Sequence, residues 1–240
     1  MDLFDRQWST YRTVVDSNLM EHRELTAAIN GAIHAWLAGR EEGAPRPNLV
    51  DLGCGDLGFL APLLRGLPLG SYLGLDLCAQ VLPRAEATLG AVVFPCQWRH
   101  QDLLSWATAE PGSEPVQLLH SSFALHHLCA ADKLRFLRLS RRHLAADGLF
   151  LWADVFREPG ESRQSYLARY SERVLAAWSP LSADQKAQLI NHISTFDFPA
   201  DRVAIQRDAQ ACGWRWQWIW QGRHQAEALA LLTPATGPFR

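Results

Sequence analysis

The chain has 240 residues, of which 20% are charged, and its formal net charge is −2. This length can bury the core of one α/β domain, and the balanced charge lacks the basic surface that sequence-independent nucleic-acid binding needs. No basic start precedes an apolar segment, and no apolar run approaches about 18 residues. We therefore expect a soluble, cytoplasmic protein that binds neither nucleic acid nor a membrane.

Five cysteines are scattered singly along the chain. An odd number without Cys-x-x-Cys spacing disfavours both a disulfide framework and a zinc site. We expect reduced thiols and no metal ion. Cys54 lies between two glycines, where a small side chain that fits the turn is a better interpretation than a reactive nucleophile.

The N-terminal segment, residues 1–45, is predicted to form a helical cap. Apolar residues from Leu25 to Leu37 recur at three- and four-residue steps and stop at Gly39, which predicts an amphipathic helix ended by a glycine. Pro45 and Pro47 then break the chain before the first strand.

Strands and helices alternate between residues 46 and 154. The pattern predicts strands at about 48–52, 71–76, 92–98, 116–122 and 148–154, and helices at about 57–66, 79–89 and 131–145. Alternation of this kind builds a doubly wound parallel sheet that is covered by helices on both faces. The fold class predicted for the chain is therefore α/β.

The pattern changes after Val155. A helix is predicted up to Pro180, and Ser182 with Gln185 resembles a capping box that opens another helix. Residues 155–212 are therefore expected to form a helical insertion or lid between strands.

Two closing strands are predicted within residues 213–240. The first has a strand period because tryptophan stands at every second position from 214 to 220, and the second covers about 226–232. We expect the four tryptophans to share one face that packs under helices.

The most informative segment is 49–58, LVDLGCGDLG, in which an apolar run ends in a glycine-rich turn. Gly53 and Gly55 allow the backbone to turn sharply and to approach a ligand. Asp76 ends the second strand about twenty residues later, where a carboxylate can accept hydrogen bonds from ribose hydroxyls. Asp102 follows the third strand and is placed to accept from an adenine amino group.

Four features of the chain together resemble the class I methyltransferases that use S-adenosylmethionine: the segment 49–58, Asp76, Asp102 and the segment 121–128, SSFALHHL. The resemblance covers roughly residues 48–155 and the last two strands. It implies a single domain over residues 1–240, with a Rossmann-like sheet of seven strands that is parallel except for its final strand. It also implies that residues 46–154 bind the cofactor.

The resemblance assigns roles by position. Asp51 would orient the glycine turn and the methionine ammonium, Asp76 would hold the ribose hydroxyls, and Leu77 would pack on the adenine. The cofactor-binding residues that it implies are Asp51, Gly53, Cys54, Gly55, Asp76, Leu77, Asp102, Leu103 and Ser122.

The glycine spacing leaves an alternative open. The family usually has a third glycine at the position of Leu57, whereas this chain has Gly58, so that Gly53-x-Gly55-x-x-Gly58 matches the dinucleotide fingerprint. An NAD-dependent oxidoreductase is therefore the rival hypothesis. A noncatalytic binding module on a methyltransferase scaffold is a third, because a fold does not fix a function.

His126 and His127 follow the fourth strand, where the resemblance places the transferred methyl group. Histidine is the side chain best suited to accept a proton at neutral pH, so we expect one of the pair to act as a general base. The alternative is that both histidines only pack beside the loop.

The N-terminal segment and the insertion are expected to recognise a small-molecule acceptor. Arginines near aromatic residues suit a carboxylated or aromatic compound. A further resemblance is to the methyltransferase of ovothiol-type thiohistidine synthesis, and it lies in segments 18–25, 163–169 and 197–199. It implies an imidazole nitrogen as the methyl acceptor. The sequence leaves the oligomeric state open. The candidate acceptor-binding residues are Tyr11, Asn18, His22, Trp152, Asp154, Arg163, Tyr166, Arg169 and Tyr170.

Overall fold

The structure is a computed structural model that describes residues 3–112 and 114–235. The strands are β1 Asn48–Leu52, β2 Ser71–Asp76, β3 Cys96–His100, β4 Val116–Ser122, β5 Leu144–Arg157, β6 Ala200–Asp201, β7 Trp214–Gln221 and β8 Glu227–Pro234. The helices are α1 Leu3–Asp16, α2 His22–Ala38, α3 Ala61–Gly66, α4 Leu82–Leu89, α5 Leu103–Thr108, α6 Ala130–Ser140, α7 Arg163–Ala177, α8 Ala183–Phe196 and α9 Arg202–Ala211.

The main sheet has the strand order β3-β2-β1-β4-β5-β8-β7. Strands β1 to β5 pair in parallel, and β8 runs antiparallel to both β5 and β7. The short β6 pairs with the end of β5 outside this path. The predicted α/β fold, with a mostly parallel sheet and an antiparallel final strand, is confirmed. A dinucleotide-binding sheet would continue beside β5 with a parallel strand, and β8 does not.

The sheet is covered on both faces because alternate side chains of each strand point to opposite sides. Leu49 of β1 belongs to an apolar layer under α2, α3 and α4, whereas Val50 and Leu52 belong to the layer under α5, α6 and α9. The carboxyl ends of β1, β2 and β4 are left open between these layers. A ligand site at that edge is typical of open α/β sheets.

Several elements differ from the predicted ones at their ends. The helix predicted from residue 57 begins at Ala61, and the strand predicted at 92–98 lies at Cys96–His100. The helix predicted at 131–145 ends at Ser140, and β5 begins at Leu144, earlier than expected. Helices α5 and α9 were not predicted individually; their N-caps, Asp102 and Asp201, accept backbone hydrogen bonds, and short capped helices carry little apolar period.

The four tryptophans of β7 do not share one face, so this prediction was wrong. Strand β7 pairs Trp218 with Ala230 but Trp220 with the adjacent Leu229, which marks a β-bulge at Ile219. Trp218 therefore packs in the layer under α9, whereas Trp220 packs in the opposite layer.

The insertion packs on the carboxyl edge of the sheet. Helices α7 and α8 bring Tyr166, Tyr170 and Ile193 into an apolar cluster with Val14 of α1 and Val155 of β5. The predicted capping box at the start of α8 is present. None of the helices in the described ranges is long and apolar enough to span a membrane.

Candidate active site

Two cavities lie at the carboxyl edge of the sheet. The first cavity has a volume of about 470 Å³ and lies over the glycine turn and the ends of β2 and β4. The second cavity has a volume of about 520 Å³ and lies between α1, α7 and α8. Tyr11 and Phe123 line both cavities, so the two share a wall. All nine predicted cofactor-binding residues line the first cavity: Asp51, Gly53, Cys54, Gly55, Asp76, Leu77, Asp102, Leu103 and Ser122.

The glycine turn is fixed by its own backbone. The amides of Gly53 and Cys54 both donate to the Leu75 carbonyl of β2, at 2.8 and 2.9 Å. Gly53 has φ +72°, and a Cβ at this position would lie 2.5 Å from the Cβ of Ala124. Only glycine combines this conformation with this close approach.

Leu57 explains the irregular glycine spacing. Its φ is +59°, in the left-handed region that glycine favours, and its side chain is buried in the core. The chain therefore has the backbone conformation of a third glycine at position 57 although the residue is leucine. The Gly58 amide instead donates to the Asp56 carboxylate at 2.9 Å, and Gly58 lies three residues before the start of α3.

Asp76 holds the turn as well as facing the cavity. Its carboxylate accepts from the amides of Gly55 at 2.9 Å and Cys78 at 2.8 Å. Burial raises the pKa of Asp76, and these two amide hydrogen bonds oppose that shift. Asp102 accepts from the Ser105 amide at 2.7 Å as the N-cap of α5, and the side chain of Leu77 is exposed at the cavity wall.

A buried polar network lies beneath the first cavity. Oδ1 of Asp51 lies 2.7 Å from Nδ1 of His120, and Nε2 of His120 lies 2.8 Å from the Ser122 hydroxyl. The Tyr72 hydroxyl donates to the other Asp51 oxygen at 2.9 Å. In a neutral His120 ring whose Nδ1 donates to Asp51, Nε2 accepts from the Ser122 hydroxyl, which leaves the Ser122 oxygen as an acceptor toward the cavity. Sequence reasoning missed His120, because only the pairing of β1 with β4 sets it opposite Asp51.

Cys54 is buried in the turn. Burial, followed by the nearby Asp51 charge, raises the pKa of its thiol. A thiol with a raised pKa is a poor nucleophile.

His126 is buried between two carboxylates. Its Nδ1 lies 2.6 Å from Oδ1 of Asp154, and its Nε2 lies 3.6 Å from Oδ1 of Asp197. Burial alone would lower the pKa of His126, but the Asp154 charge and hydrogen bond and the Asp197 charge outweigh it and raise the pKa. The Trp152 indole and the Val155 amide also donate to Asp154.

His127 is the more exposed member of the pair and lines the first cavity. Its Nδ1 lies 3.5 Å from Oδ1 of Asp197 and 3.3 Å from the Phe196 carbonyl. Desolvation and the neighbouring His126 lower the pKa of His127. The pKa values of the two rings are therefore shifted in opposite directions, and His127 stays neutral to a lower pH than His126.

A buried lysine joins the histidine loop to the end of the insertion. Nζ of Lys133 donates to the carbonyls of Leu128 and Phe198, the latter at 2.7 Å. The Phe198 amide in turn donates to the His126 carbonyl at 2.7 Å. Burial lowers the pKa of Lys133 to about 8.

Four of the predicted acceptor-binding residues line the second cavity, together with His126: Tyr11, His22, Tyr166 and Tyr170. His22 is buried against Phe59 and Phe123, and its Nδ1 has no hydrogen-bond partner among the described residues. Burial lowers the pKa of His22 to about 4, so its ring is neutral at pH 7.

The two predicted arginines do not reach the cavity. Arg163 donates to the carbonyls of Asp197 and Ser194, and Arg169 pairs with both oxygens of Glu161. Both guanidinium groups therefore tie the insertion to itself and to the loop before it.

The other three predicted acceptor-binding residues also lie outside the cavity lining. Asn18 is a loop residue whose amide donates to Glu24. Trp152 is fully buried in the apolar layer under α5, α6 and α9, and Asp154 lies fully buried behind His126. Asp154 therefore acts on the site through His126.

Residues 50–150 match the family described as a methyltransferase domain. The matched segment contains the glycine turn, Asp76, Asp102 and the histidine pair. This segment of the chain is therefore similar to a methyltransferase domain. No curated protein is significantly similar to the chain.

The chain shares its fold with several solved structures. The DhpI–SAH complex is 17% identical over 98% of both chains, with a TM-score of 0.56. The plantazolicin methyltransferase BpumL, in complex with a triazolic desmethylPZN analog and SAH, is 9% identical over 94% of this chain and 90% of its own, with a TM-score of 0.64. The cyclopropane synthase MmaA2 from Mycobacterium tuberculosis is 18% identical, with a TM-score of 0.51; the alignment covers 73% of this chain and 58% of that chain.

The first cavity does not suit a dinucleotide. Asp51, Asp76 and Asp102 line it, and no arginine or lysine of the described residues does. A diphosphate would face these carboxylates, and the amides of Gly55 and Gly58 that could bind it already donate to Asp76 and Asp56. Together with the antiparallel β8 and the domain match, this charge disfavours the NAD hypothesis.

Proposed function

We propose that the chain transfers a methyl group from S-adenosylmethionine in the first cavity to an aromatic small molecule in the second cavity. The observation that carries the proposal is the shared wall, because Tyr11 and Phe123 line both cavities. Ligands bound in two cavities that adjoin at the same side chains lie next to each other, which is the placement that methyl transfer requires.

The first cavity fits this cofactor. The Asp76 carboxylate is available at its wall for ribose hydroxyls, and the exposed apolar side chain of Leu77 can pack on a purine. The Ser122 oxygen, which the His120 network leaves as an acceptor, can bind the ammonium of the methionine part. The cofactor carries no phosphate, which agrees with a lining that has carboxylates but no arginine or lysine among the described residues.

S-adenosylmethionine supplies a methyl group that is already activated as a sulfonium, so the protein has to align the acceptor, exclude water and accept a proton. The Asp154 charge and hydrogen bond raise the pKa of His126, and its Nδ1 is already engaged with that carboxylate, so this ring is the less suited of the two to accept that proton. The lowered pKa of His127 keeps its ring neutral and so available to accept the proton, and the ring lies at the wall of the first cavity. We assign His127 as the general base, with His126 beside it as a positioning residue.

The second cavity suits an aromatic acceptor that is neutral or cationic. Tyr166, Tyr170 and Trp178 supply ring faces, and no arginine or lysine of the described residues lines the cavity. A carboxylate on the acceptor would find no guanidinium or ammonium group of the described residues there, which changes our expectation from the sequence. The unpaired Oδ1 of Asp197 favours an acceptor that carries an N–H or O–H group, and an imidazole ring is one member of this class.

The cytoplasm is the compartment that fits this proposal. All five cysteines are free, including the half-buried Cys78 and Cys96 and the exposed Cys129. Free thiols persist in a reducing compartment.

Calorimetric titration with S-adenosylhomocysteine tests the cofactor assignment. Stoichiometric binding with no NADH binding is expected, and the absence of S-adenosylhomocysteine binding would overturn the proposal. Transfer from labelled S-adenosylmethionine to a panel of phenols, aromatic amines, thiols and imidazoles then tests catalysis. Tight cofactor binding without transfer to any of them would favour a noncatalytic binding module.

The base assignment has its own test. His127→Gln should lower kcat while the dissociation constant for S-adenosylhomocysteine stays unchanged, because the ring accepts a proton but does not hold the cofactor. His34→Gln, at an exposed position of α2, is the matched control and should leave both values unchanged. An unaltered kcat in His127→Gln would refute the assignment.

A further inference from the structure

Three potential metal ligands converge between the two cavities. Nε2 of His126 lies 3.6 Å from Oδ1 of Asp197, and Nδ1 of His127 lies 3.5 Å from the same oxygen. The three residues form a group whose ligand atoms all lie within 4.8 Å of one another. Tetrahedral zinc with bonds of about 2.1 Å separates its ligands by roughly 3.4 Å. The observed spacings are close to that value.

The buried carboxylate of Asp197 lacks a partner. Its Oδ1 makes no hydrogen bond within the described residues, and its side chain is only 9% exposed. The nearby cations do not pair with it: Lys133 donates to backbone carbonyls, and Arg163 donates to the carbonyls of Ser194 and Asp197. A buried carboxylate oxygen without a donor is costly unless a cation or a proton faces it.

A supporting carboxylate lies behind His126. The short contact between Nδ1 of His126 and Asp154 keeps a proton on Nδ1, so that a cation bound at this point would displace the proton of Nε2 and take the lone pair that faces Asp197. Metal-binding histidines commonly donate their second N–H to a carboxylate in this way, which fixes the ring and its tautomer. The Trp152 indole and the Val155 amide hold Asp154 in turn.

His127 can present a lone pair to the same point. Its Nδ1 is 3.3 Å from the Phe196 carbonyl, which is longer than a usual N–H···O hydrogen bond. A cation would replace this long hydrogen bond: with the ring proton moved to Nε2, the lone pair of Nδ1 would face Asp197.

We infer that His126, His127 and Asp197 bind a divalent cation of the zinc type, with one coordination position open to the acceptor. Two imidazoles and one carboxylate form a ligand set that suits zinc and neighbouring divalent metals. His127 lines the first cavity, whereas His126 and Asp197 line the second, so the cation lies at the boundary between them. An acceptor oxygen, nitrogen or sulfur bound there would lose its proton more easily, which would replace the base role of His127. The sequence predicted no metal because its argument rested on cysteine spacing, and these ligands are far apart along the chain.

Zinc titration of tag-free protein tests the inference. After chelator treatment and dialysis, wild type should bind one Zn²⁺ by calorimetry, and Co²⁺ should give the visible bands of a tetrahedral complex. Asp197→Asn should abolish both signals, and Asp154→Asn should weaken Zn²⁺ binding about 10–100-fold because it removes only the supporting carboxylate. His192→Gln is the matched control: this ring packs edge-on against His127 at 5.7 Å but is outside the ligand group, so Zn²⁺ binding should be unchanged.

The outcomes separate this inference from the proposed function. Zn²⁺ binding by wild type that is no stronger than by Asp197→Asn would overturn the metal site, and so would an equal loss in His192→Gln. Circular dichroism of each variant checks that a lost signal does not come from unfolding; a folded Asp154→Asn variant with weakened binding would support the site even if Asp197→Asn fails to fold. None of these measurements uses methyl transfer.

Discussion

Replacing Arg173 with methionine should destabilise the protein strongly. Nη1 of Arg173 lies 2.7 and 2.9 Å from the two oxygens of Glu227, and Nη2 donates to the Leu19 carbonyl at 2.6 Å. Glu227 is completely buried, and the Arg173 side chain is 10% exposed. Removing one partner of a buried ion pair costs about 3–5 kcal/mol, because the other charge is left without compensation. In a chain of this length that corresponds to a fall in Tm of roughly 6–20 °C.

Urea unfolding followed by circular dichroism measures this effect. The matched control is Arg169→Met, one turn earlier on α7, where the guanidinium is 36% exposed and pairs with Glu161. An ion pair of this exposure is worth about 0–1 kcal/mol. The double variant Arg173→Met/Glu227→Gln should recover part of the loss because it removes the stranded charge. Equal losses in Arg173→Met and Arg169→Met would refute the reasoning.

Three further predictions concern the first cavity, the glycine turn and the pH dependence. Asp76→Ala should weaken S-adenosylhomocysteine binding by about 1–3 kcal/mol in calorimetry, because charge-assisted hydrogen bonds are lost. Leu57→Gly should be more stable than Leu57→Ala by roughly 0.5–1 kcal/mol in urea, because both lose the buried side chain but only glycine adopts the left-handed backbone without strain. His22 must be neutral in the folded state, and since its pKa falls from 6.5 to about 4, stability is present above pH 6.5 and is lost as the pH falls. Between pH 7.5 and pH 5 this loss should be roughly 2 kcal/mol, and it should disappear in His22→Phe.

Each of these predictions has a contradicting result. Equal cofactor affinity in wild type and Asp76→Ala would remove Asp76 from the site. A less stable Leu57→Gly would mean that the left-handed conformation carries no strain. The same loss of stability toward acid in His22→Phe as in wild type would show that another group dominates that pH range.

The sequence predicted the sheet because its strands are long and strongly patterned, and the glycine turn because glycine has few other roles before a helix. It predicted which residues gather at the first cavity because the carboxyl ends of parallel strands meet at one edge. Asp102 has two roles, because its carboxylate caps the N-terminus of α5 and also lines the first cavity.

The second cavity was less predictable. Arg163 and Arg169 carry charges that suit a carboxylate, but the distances that direct them to backbone carbonyls and to Glu161 arise only from tertiary packing. His120 was missed because its partner Asp51 lies on another strand. The bulge that turns Trp220 to the opposite face of the sheet could not be predicted either, because tryptophan occupies every second position from 214 to 220 in the sequence.

Lys133 has a consequence for redesign of the protein. Its ammonium donates both to the loop after β4, at Leu128, and to the segment after α8, at Phe198. These two segments therefore cannot be exchanged independently. A chimaera that takes its acceptor specificity from a homologue should graft α7 and α8 while leaving the stretch 196–199 native. Swaps that cross this stretch should disturb the histidines before they alter the choice of substrate.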